Sequence, residues 1–423
     1  MTPRRAALQV LSDVLQNGAY ANLALKSTTP AFEPQQARWI SSLVYTTLDH
    51  LLTIDYYLSH CLTSPCKPAV RHLLRLGCCE LLYMHTPAHA VINEYVALCK
   101  SIGKSALSGF VNAVLRRIDR ERDALPDFPT EPVMRLSVQY SFPEWIVRMW
   151  LDAYGEAFTE ALLAAPPAPM ELRAQYPCST KELLAALPRD AVCCTLDPNC
   201  IRVSGLDPAA QPSFLSGEMS VQSLSAMLCC RALGDCRKKR VLDACAAPGG
   251  KSAYLASLCE NDVALTCWEL HPHRVELLRQ TLSRLHVDAD IERRDASVHD
   301  PAFDGAFDAV LLDAPCSGLG QVHDKPDIRY AKSERDIARL ANMQARLLDA
   351  CAPYVRPGGT LLYATCTIAR PENEEQAVAF LARHPEFTTE KLPLPIENEG
   401  MLQLFPNVHD TDGFFLARFV RCS

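Results

Sequence analysis

A chain of 423 residues, with 48% hydrophobic and 22% charged residues, has room for two or three domains, each with its own core. No apolar run approaches the roughly 18 residues of a membrane span, and Arg4-Arg5 is followed at once by Ala-Ala-Leu-Gln, which breaks any signal-peptide core, so no membrane partner and a cytoplasmic location are expected. A net charge of −7 gives no sign of a nucleic-acid partner from bulk charge alone, and nineteen scattered cysteines, none three residues from another, exclude C-x-x-C zinc or redox pairs and argue against a disulfide framework.

Residues 4–122 read as helix throughout. Ile40, Leu43, Val44, Thr47, Leu48 and Leu51 recur at helical spacing, and so do Val70, Leu73, Leu74, Cys78, Leu81 and Leu82. A last helix, roughly Leu107 to Arg122, gathers Phe110, Val111, Val114, Leu115 and Ile118 on one face and carries Arg116, Arg117, Arg120 and Arg122 toward its end. That cluster suits phosphate contacts, and it equally suits the negative end of a helix dipole. Charge is uneven: residues 1–125 have a positive balance and the remainder a negative one, as expected if the first part faces phosphate.

The proline-rich stretch Leu125 to Pro132 reads as a linker. Residues 138–170 are helical again, with Trp145 and Trp150, and end in Pro166-Pro167-Ala168-Pro169. Residues 170–215 mix short strand-like and helical runs, a small α/β lead-in. From about Gly217 strands alternate with helices: Val241-Leu242, Val263–Trp268, Ala289–Ile291, Ala309–Leu312 and Thr360–Tyr363. This predicts a doubly wound, mostly parallel sheet with ligands at the strand C-termini. The final run, Gly413 to Val420, reads as an added edge strand.

Within this second half, Val241 to Ser252 is the informative corner: a strand ending in Asp243, a turn through Pro248-Gly249-Gly250, and a helix opening at Lys251-Ser252. A Walker A loop would need a glycine where Cys245 stands, and a G-x-G-x-x-G dinucleotide loop is absent. An adenosyl group is the remaining reading, its ribose hydroxyls meeting a carboxylate at the next strand's end, where Glu269 lies. Two further strand ends converge on the same side. One carries Asp313-Ala314-Pro315-Cys316-Ser317-Gly318 and the other Ala364-Thr365-Cys366-Thr367.

Two thiols and a carboxylate beside an adenosyl pocket suit methylation of a pyrimidine at C5. That carbon is a poor nucleophile until a thiolate adds at C6 and makes C5 enamine-like. A carboxyl near N3 would hold the ring as charge develops, and a second group must assist loss of the C5 proton. The residues alone leave open which cysteine attacks; Cys316, in a Pro-Cys context, is the alternative nucleophile. No metal is required for this chemistry, and none is expected.

These motifs resemble the signature set of the Nop/Sun family of RNA cytosine-C5 methyltransferases, and Pro326-Asp327-Ile328-Arg329-Tyr330, Glu372-Asn373 and Asp412-Gly413-Phe414-Phe415 extend the likeness. Arg5 to Leu11, Asn22 to Leu25 and Phe110 to Arg117 resemble the helical NusB-type RNA-binding domain. The implied fold is α/β: a NusB-like helical domain (1–125), a linker and small α/β lead-in (126–216), and a Rossmann-like methyltransferase domain (217–423). By the same resemblance Cys366 is the nucleophile and Cys316 assists product release. Cys245, Ala246, Ala247, Pro248, Gly249, Gly250, Lys251, Glu269, Asp295 and Asp313 would contact S-adenosylmethionine. The likeness to bacterial Fmu/Sun members implies an enzyme acting on 16S ribosomal RNA; a monomer with no DNA partner is expected. A transfer-RNA or other RNA methyltransferase, and a non-catalytic RNA-binding or antitermination protein, are the rivals. The sequence departs from the family pattern at Ser223, at Glu269 (commonly aspartate) and in the less basic Gln321 to Lys325.

Overall fold

The computed structural model describes residues 1–62, 66–84 and 86–423, and its internal contacts divide the chain into residues 1–165 with 322–333 and residues 166–321 with 334–423.

The first unit is helical. Pro3, Pro34, Pro68 and Pro132 each stand in the first turn of a helix (Pro3–Asn17, Pro34–Asp49, Pro68–Tyr83 and Pro132–Tyr140), where the missing N–H breaks no hydrogen bond. Thr2 caps the first helix by accepting from the Arg5 N–H, and Gly18 ends it at φ 68°. The apolar stripes read from the sequence meet in one core that includes Leu11, Val44, Leu74 and Leu115. The expected last helix runs Ser108–Glu121. Its arginines pair at the exposed surface with their own helix, Arg117 and Arg120 with Glu121 and Arg122 with Asp119.

Residues from much later in the chain complete this unit. Asp327–Ala331 is a short helix whose Asp327 carboxylate accepts the Ala21 N–H. The Arg329 guanidinium lies 4.1 Å from the Phe142 ring centre, and the Tyr330 hydroxyl donates to the Leu48 carbonyl at 2.8 Å. Helices Pro132–Tyr140, Glu144–Tyr154 and Glu156–Leu163 belong here too, tied by the Thr53 hydroxyl to the Val138 carbonyl and by the Leu52 N–H to Ser141.

The second unit holds two sheets. The smaller is antiparallel and is built from β1 (Glu171–Ala174), β2 (Val192–Cys193), β3 (Ile201–Arg202) and β4 (Met219–Val221), in the order β2-β3-β1-β4. Leu172, Ile201, Val203 and Met219 pack its core with Leu183 of the helix Thr180–Ala186.

The larger sheet has β5 (Arg240–Asp243), β6 (Ala264–Glu269), β7 (Asp290–Arg293), β8 (Phe307–Asp313), β9 (Val355–Thr365), β10 (Phe387–Thr389), β11 (Met401–Leu404) and β12 (Phe414–Arg421). The strand order is β10-β12-β9-β8-β5-β6-β7, with β11 also on β12. Strands β5 to β9 are parallel, and the central pair β5 and β8 shows the nearly unbroken apolar burial of strands covered on both faces, while β7 at the edge is polar and more exposed. The last strand is not the edge that its position in the chain suggested. β12 lies antiparallel between β9 on one side and β10 and β11 on the other. The short runs around Phe387 and Leu402 supply that outer cover, and β12 is accordingly buried along most of its length.

Candidate active site

Register fixes which strand ends meet. Asp243 of β5 pairs with Leu311 of β8 and Cys267 of β6, while Asp313 of β8 pairs with Ala364 of β9. The segments after β5, β6, β8 and β9 therefore leave the sheet on one side.

The corner after β5 is held by glycine and by side chains behind it. Gly249 has φ 106° at the start of the helix Gly250–Leu258, and a Cβ there would stand 2.9 Å from Leu278. A Cβ on Gly250 would meet nothing within 4 Å, so the helix start opens onto free space. Ala246 donates its N–H to the Trp268 carbonyl at 2.9 Å, and Arg274 donates to the Ala247 carbonyl at 2.8 Å. Ala246 and Ala247 are buried, Cys245 half-buried and Pro248 exposed. Beneath the corner Asp243 accepts from Ser252 Oγ at 2.6 Å. Burial pushes that carboxyl up to about 6, against the pull of the Ser252 hydrogen bond.

Glu269, at the end of β6, is buried. One of its oxygens accepts the His271 N–H at 3.0 Å, and the other lies 3.5 Å from Arg274 Nε. A carboxylate has about four lone-pair positions, so acceptor capacity remains for a diol. Asp295, beyond β7, spends one oxygen on the N–H and hydroxyl of Ser297. A ribose-bearing, cationic cofactor fits this set: an open helix N-terminus, a buried carboxylate at the next strand end, and further carboxylates at the rim.

Lys251 and Asp313 form an ion pair at 2.6 Å. Burial would lower the Lys251 pKa, but Asp313, with Cys229 and Cys366 adding to it, outweighs that and holds the ammonium well above the ordinary lysine range. Beside this pair the two sulfurs converge, Cys316 Sγ to Cys366 Sγ at 3.3 Å. The hydrogen bond to Cys366, then burial, then Glu372 and Asp313, push the Cys316 thiol far up. Either sulfur can donate in this contact, and the Cys366 side of it lies within the field of the Lys251 ammonium.

Each cysteine loop is held by buried polar side chains. Glu372 accepts the Ser317 N–H at 2.9 Å, the Ser317 hydroxyl, and Gln344 Nε2 at 2.9 Å, while Gln344 also donates to the Pro315 carbonyl. Pro315 and Ser317 flank Cys316, so Glu372 and Gln344 fix it from both sides. Asn373 does the same for Cys366. It accepts from the Thr365 hydroxyl and donates to the Thr367 carbonyl at 3.0 Å and to Gln403 Oε1 at 2.7 Å. Glycine closes the arrangement: Gly320 donates to the Cys366 carbonyl at 3.0 Å, and Gly413 donates to the Gly320 carbonyl at 2.9 Å.

Of the residues expected from sequence, Lys251, Asp313, Cys316 and Cys366 are brought together directly. Glu269 joins the corner through Arg274, and Asp295 makes its hydrogen bonds locally. Gln344, Arg274 and the Asp243–Ser252 pair escaped the sequence reading. Gln344 lies on an exposed-looking amphipathic helix, Glu334–Cys351, and only its buried face marks it.

The profile of the "16S rRNA methyltransferase RsmB/F" family matches residues 231–420, and that of the NusB family matches residues 1–120. A Bacillus subtilis (strain 168) protein described as "Probable ribosomal RNA small subunit methyltransferase B" is 38% identical over 98% of this chain and 97% of its own. The Shewanella oneidensis "Ribosomal RNA small subunit methyltransferase B" is 33% identical over 100% of both. A solved structure, PH0851, shares the fold with a TM-score of 0.83 at 23% identity, covering 99% of each chain. With full-length relatives above 30% identity and both domain profiles in order, the chain belongs to the RsmB/F family of 16S rRNA methyltransferases, which take their methyl group from S-adenosylmethionine.

Proposed function

We propose that this protein methylates C5 of a cytosine in 16S ribosomal RNA by way of a covalent bond between Cys366 and C6 of the base. The observation that carries the reading is the 3.3 Å approach of Cys316 and Cys366 beside the Lys251–Asp313 pair. N- or O-methylation needs no thiol, whereas C5 methylation needs one to attack and a second group to help release the product.

The target base is turned out of its loop, at a cost of a few kcal/mol that falls if it is already unpaired. Cys366, whose thiolate the Lys251 ammonium stabilises, adds to C6. Asp313 keeps one oxygen on Lys251, and through the other, in its protonated form, it donates to N3 and shares the proton that arrives there as negative charge develops. Bound S-adenosylmethionine supplies an electrophilic sulfonium methyl. The residues Cys245 to Lys251, Glu269, Asp295 and Asp313 would hold it, with the Glu269 carboxylate available to hydroxyl donors. Cys316, in its thiolate form, then takes the C5 proton as the C6–sulfur bond breaks and Cys366 leaves as a thiolate. What favours Cys366 over Cys316 as nucleophile is the family likeness of the Ala364-Thr365-Cys366 motif together with the Lys251 ammonium, whose charge acts on Cys366.

In this reading residues 1–125 hold RNA, residues 126–216 lead in, and residues 217–423 carry out the transfer, as a monomer in the cytoplasm. Among the described residues no helix is long and apolar enough to cross a membrane.

Tritium transfer from labelled cofactor to bare 16S RNA is the first test; a pure RNA-binding protein transfers none. Cys316→Ala accumulates a covalent RNA–protein adduct and Cys366→Ala forms none. The opposite pattern reverses the two roles. A cytosine-methylation map of RNA from a deletion strain that loses a mark in transfer RNA alone refutes the ribosomal target.

A further inference from the structure

A second pair of cysteines lies in the small sheet, and the methyl-transfer reading makes no use of it. Cys194 follows β2 and Cys200 precedes β3, directly opposite each other, with the Cys194 N–H bonded to the Cys200 carbonyl at 2.8 Å. Their sulfurs are 3.0 Å apart, and both residues are buried, Cys194 at 9% and Cys200 at 0% exposure. Facing strand positions of this kind lie about 5.5 Å apart at Cα, inside the range a disulfide spans.

The five residues between them carry contacts to the larger sheet's helices. Asp197 accepts from Arg231 Nε at 2.6 Å and Arg231 Nη2 at 2.8 Å, and from the Tyr254 hydroxyl at 3.1 Å. Asn199 donates to the same hydroxyl at 3.3 Å. Tyr254 stands on the helix Gly250–Leu258, one turn from Lys251.

We propose that Cys194 and Cys200 form a dithiol–disulfide site that reversibly closes the Asp197 loop. The oxidant is a low-molecular-weight disulfide. The Cys194 thiolate attacks one of its sulfurs and expels a thiolate, giving a mixed disulfide. Cys200 then passes its proton to the expelled thiolate and attacks the Cys194 sulfur, releasing the second small thiol. Two protein thiols and one small disulfide thus become one protein disulfide and two small thiols.

Electrostatics assign the order. Hydrogen bonding from Cys200 outweighs burial and lowers the Cys194 pKa, with the Arg202 charge adding to it, while Cys200 is pushed far up by the proton it keeps. Glu171 lies within ligand distance of both sulfurs, so a metal is the competing occupant. Two thiolates on one tetrahedral zinc, at about 2.3 Å each, would stand roughly 3.7 Å apart rather than 3.0 Å. Glu171 is moreover committed: one oxygen accepts from Arg202 Nε and Nη2, and the other accepts the Leu224 N–H. The bond would clamp the loop that holds Tyr254 and Arg231. It stands independently of the methyl-transfer reading.

The test uses the full chain with the exposed neighbour Cys193 replaced, Cys193→Ser, so that folding is not at stake. The protein is equilibrated in mixtures of oxidised and reduced glutathione, alkylated, digested with trypsin and weighed. The peptide from Asp190 to Arg202 should lose two hydrogens in the oxidising mixtures and regain them on reduction. Its oxidised form should melt roughly 5 °C higher, as closure of a short loop predicts. Cys193→Ser with Cys200→Ala should instead carry one glutathione on Cys194 and show no rise. A peptide that takes two alkyl groups at every glutathione ratio overturns the proposal. So does an isolated protein holding one equivalent of zinc that Cys200→Ala abolishes.

Discussion

Gly320→Ala tests whether backbone contact between loops sets the positions of the two thiols. Gly320 does not occupy the left-handed region, so alanine suits its backbone and the perturbation is one of space alone. A Cβ there would lie 1.8 Å from the Gly413 carbonyl oxygen, 2.5 Å from its carbon and 2.9 Å from the Cys366 carbonyl oxygen. Ordinary contact between carbon and oxygen begins near 3.3 Å, so the loops must part by about 1.5 Å. Two backbone hydrogen bonds, Gly320 to Cys366 and Gly413 to Gly320, are then lost, at about 1 kcal/mol each. Overpacking adds about 1–3 kcal/mol, for a total near 3–5 kcal/mol. A domain of ordinary stability survives that, but a misplacement of about 1 Å at the reacting groups costs roughly 100-fold in rate. The expected result is a folded variant, by circular dichroism, with methyl transfer to 16S RNA reduced at least that far. Gly109→Ala is the control: nothing lies within 4 Å of its Cβ in a helix, so stability should hold or rise by up to about 1 kcal/mol with activity unchanged. Wild-type turnover and melting in Gly320→Ala would refute the reasoning.

Asn373→Ala removes the hydrogen bonds that fix Cys366 on both sides and leaves buried partners unpaired, a loss of about 2–4 kcal/mol in denaturant melts. Its kcat should fall while cofactor affinity, by calorimetry, stays near wild type; unchanged kcat would mean that Asn373 does not position the thiol. Glu269→Ala should weaken cofactor binding roughly 30-fold or more with the fold intact, as expected on losing charge-assisted bonds to a diol; equal affinity would remove Glu269 from the cofactor site. Burial first, then the Arg329 charge, lowers the His323 pKa to about 4. The unfolded chain therefore takes up this proton first, near pH 6.5, and stability falls as pH drops from 6.5 toward 4, by up to about 3 kcal/mol. His323→Gln, which keeps a donor for the Leu162 carbonyl, should flatten that limb of the stability–pH curve, and an identical slope in both proteins would count against it.

Local patterns carried much of this protein. Helical stripes such as Leu73, Leu74 and Cys78 and unbroken strands such as Val310 to Leu312 each follow from burying an apolar face, which a short window already displays. The strand tips were legible for the same reason: a parallel sheet puts every C-terminus on one side, so Asp313, Cys316 and Cys366 had to be neighbours once their strands were read. What the sequence could not determine depends on pairing between distant segments. The inward place of β12, the seating of residues 322–333 among helices from the first half, and the roles of Glu372, Asn373 and Gln344 arise only when remote chains meet. The Cys194–Cys200 contact is of the same kind, because spacing in sequence does not tell whether two thiols face each other across a turn. Periodicity records which side of an element is buried; tertiary packing alone decides what it is buried against.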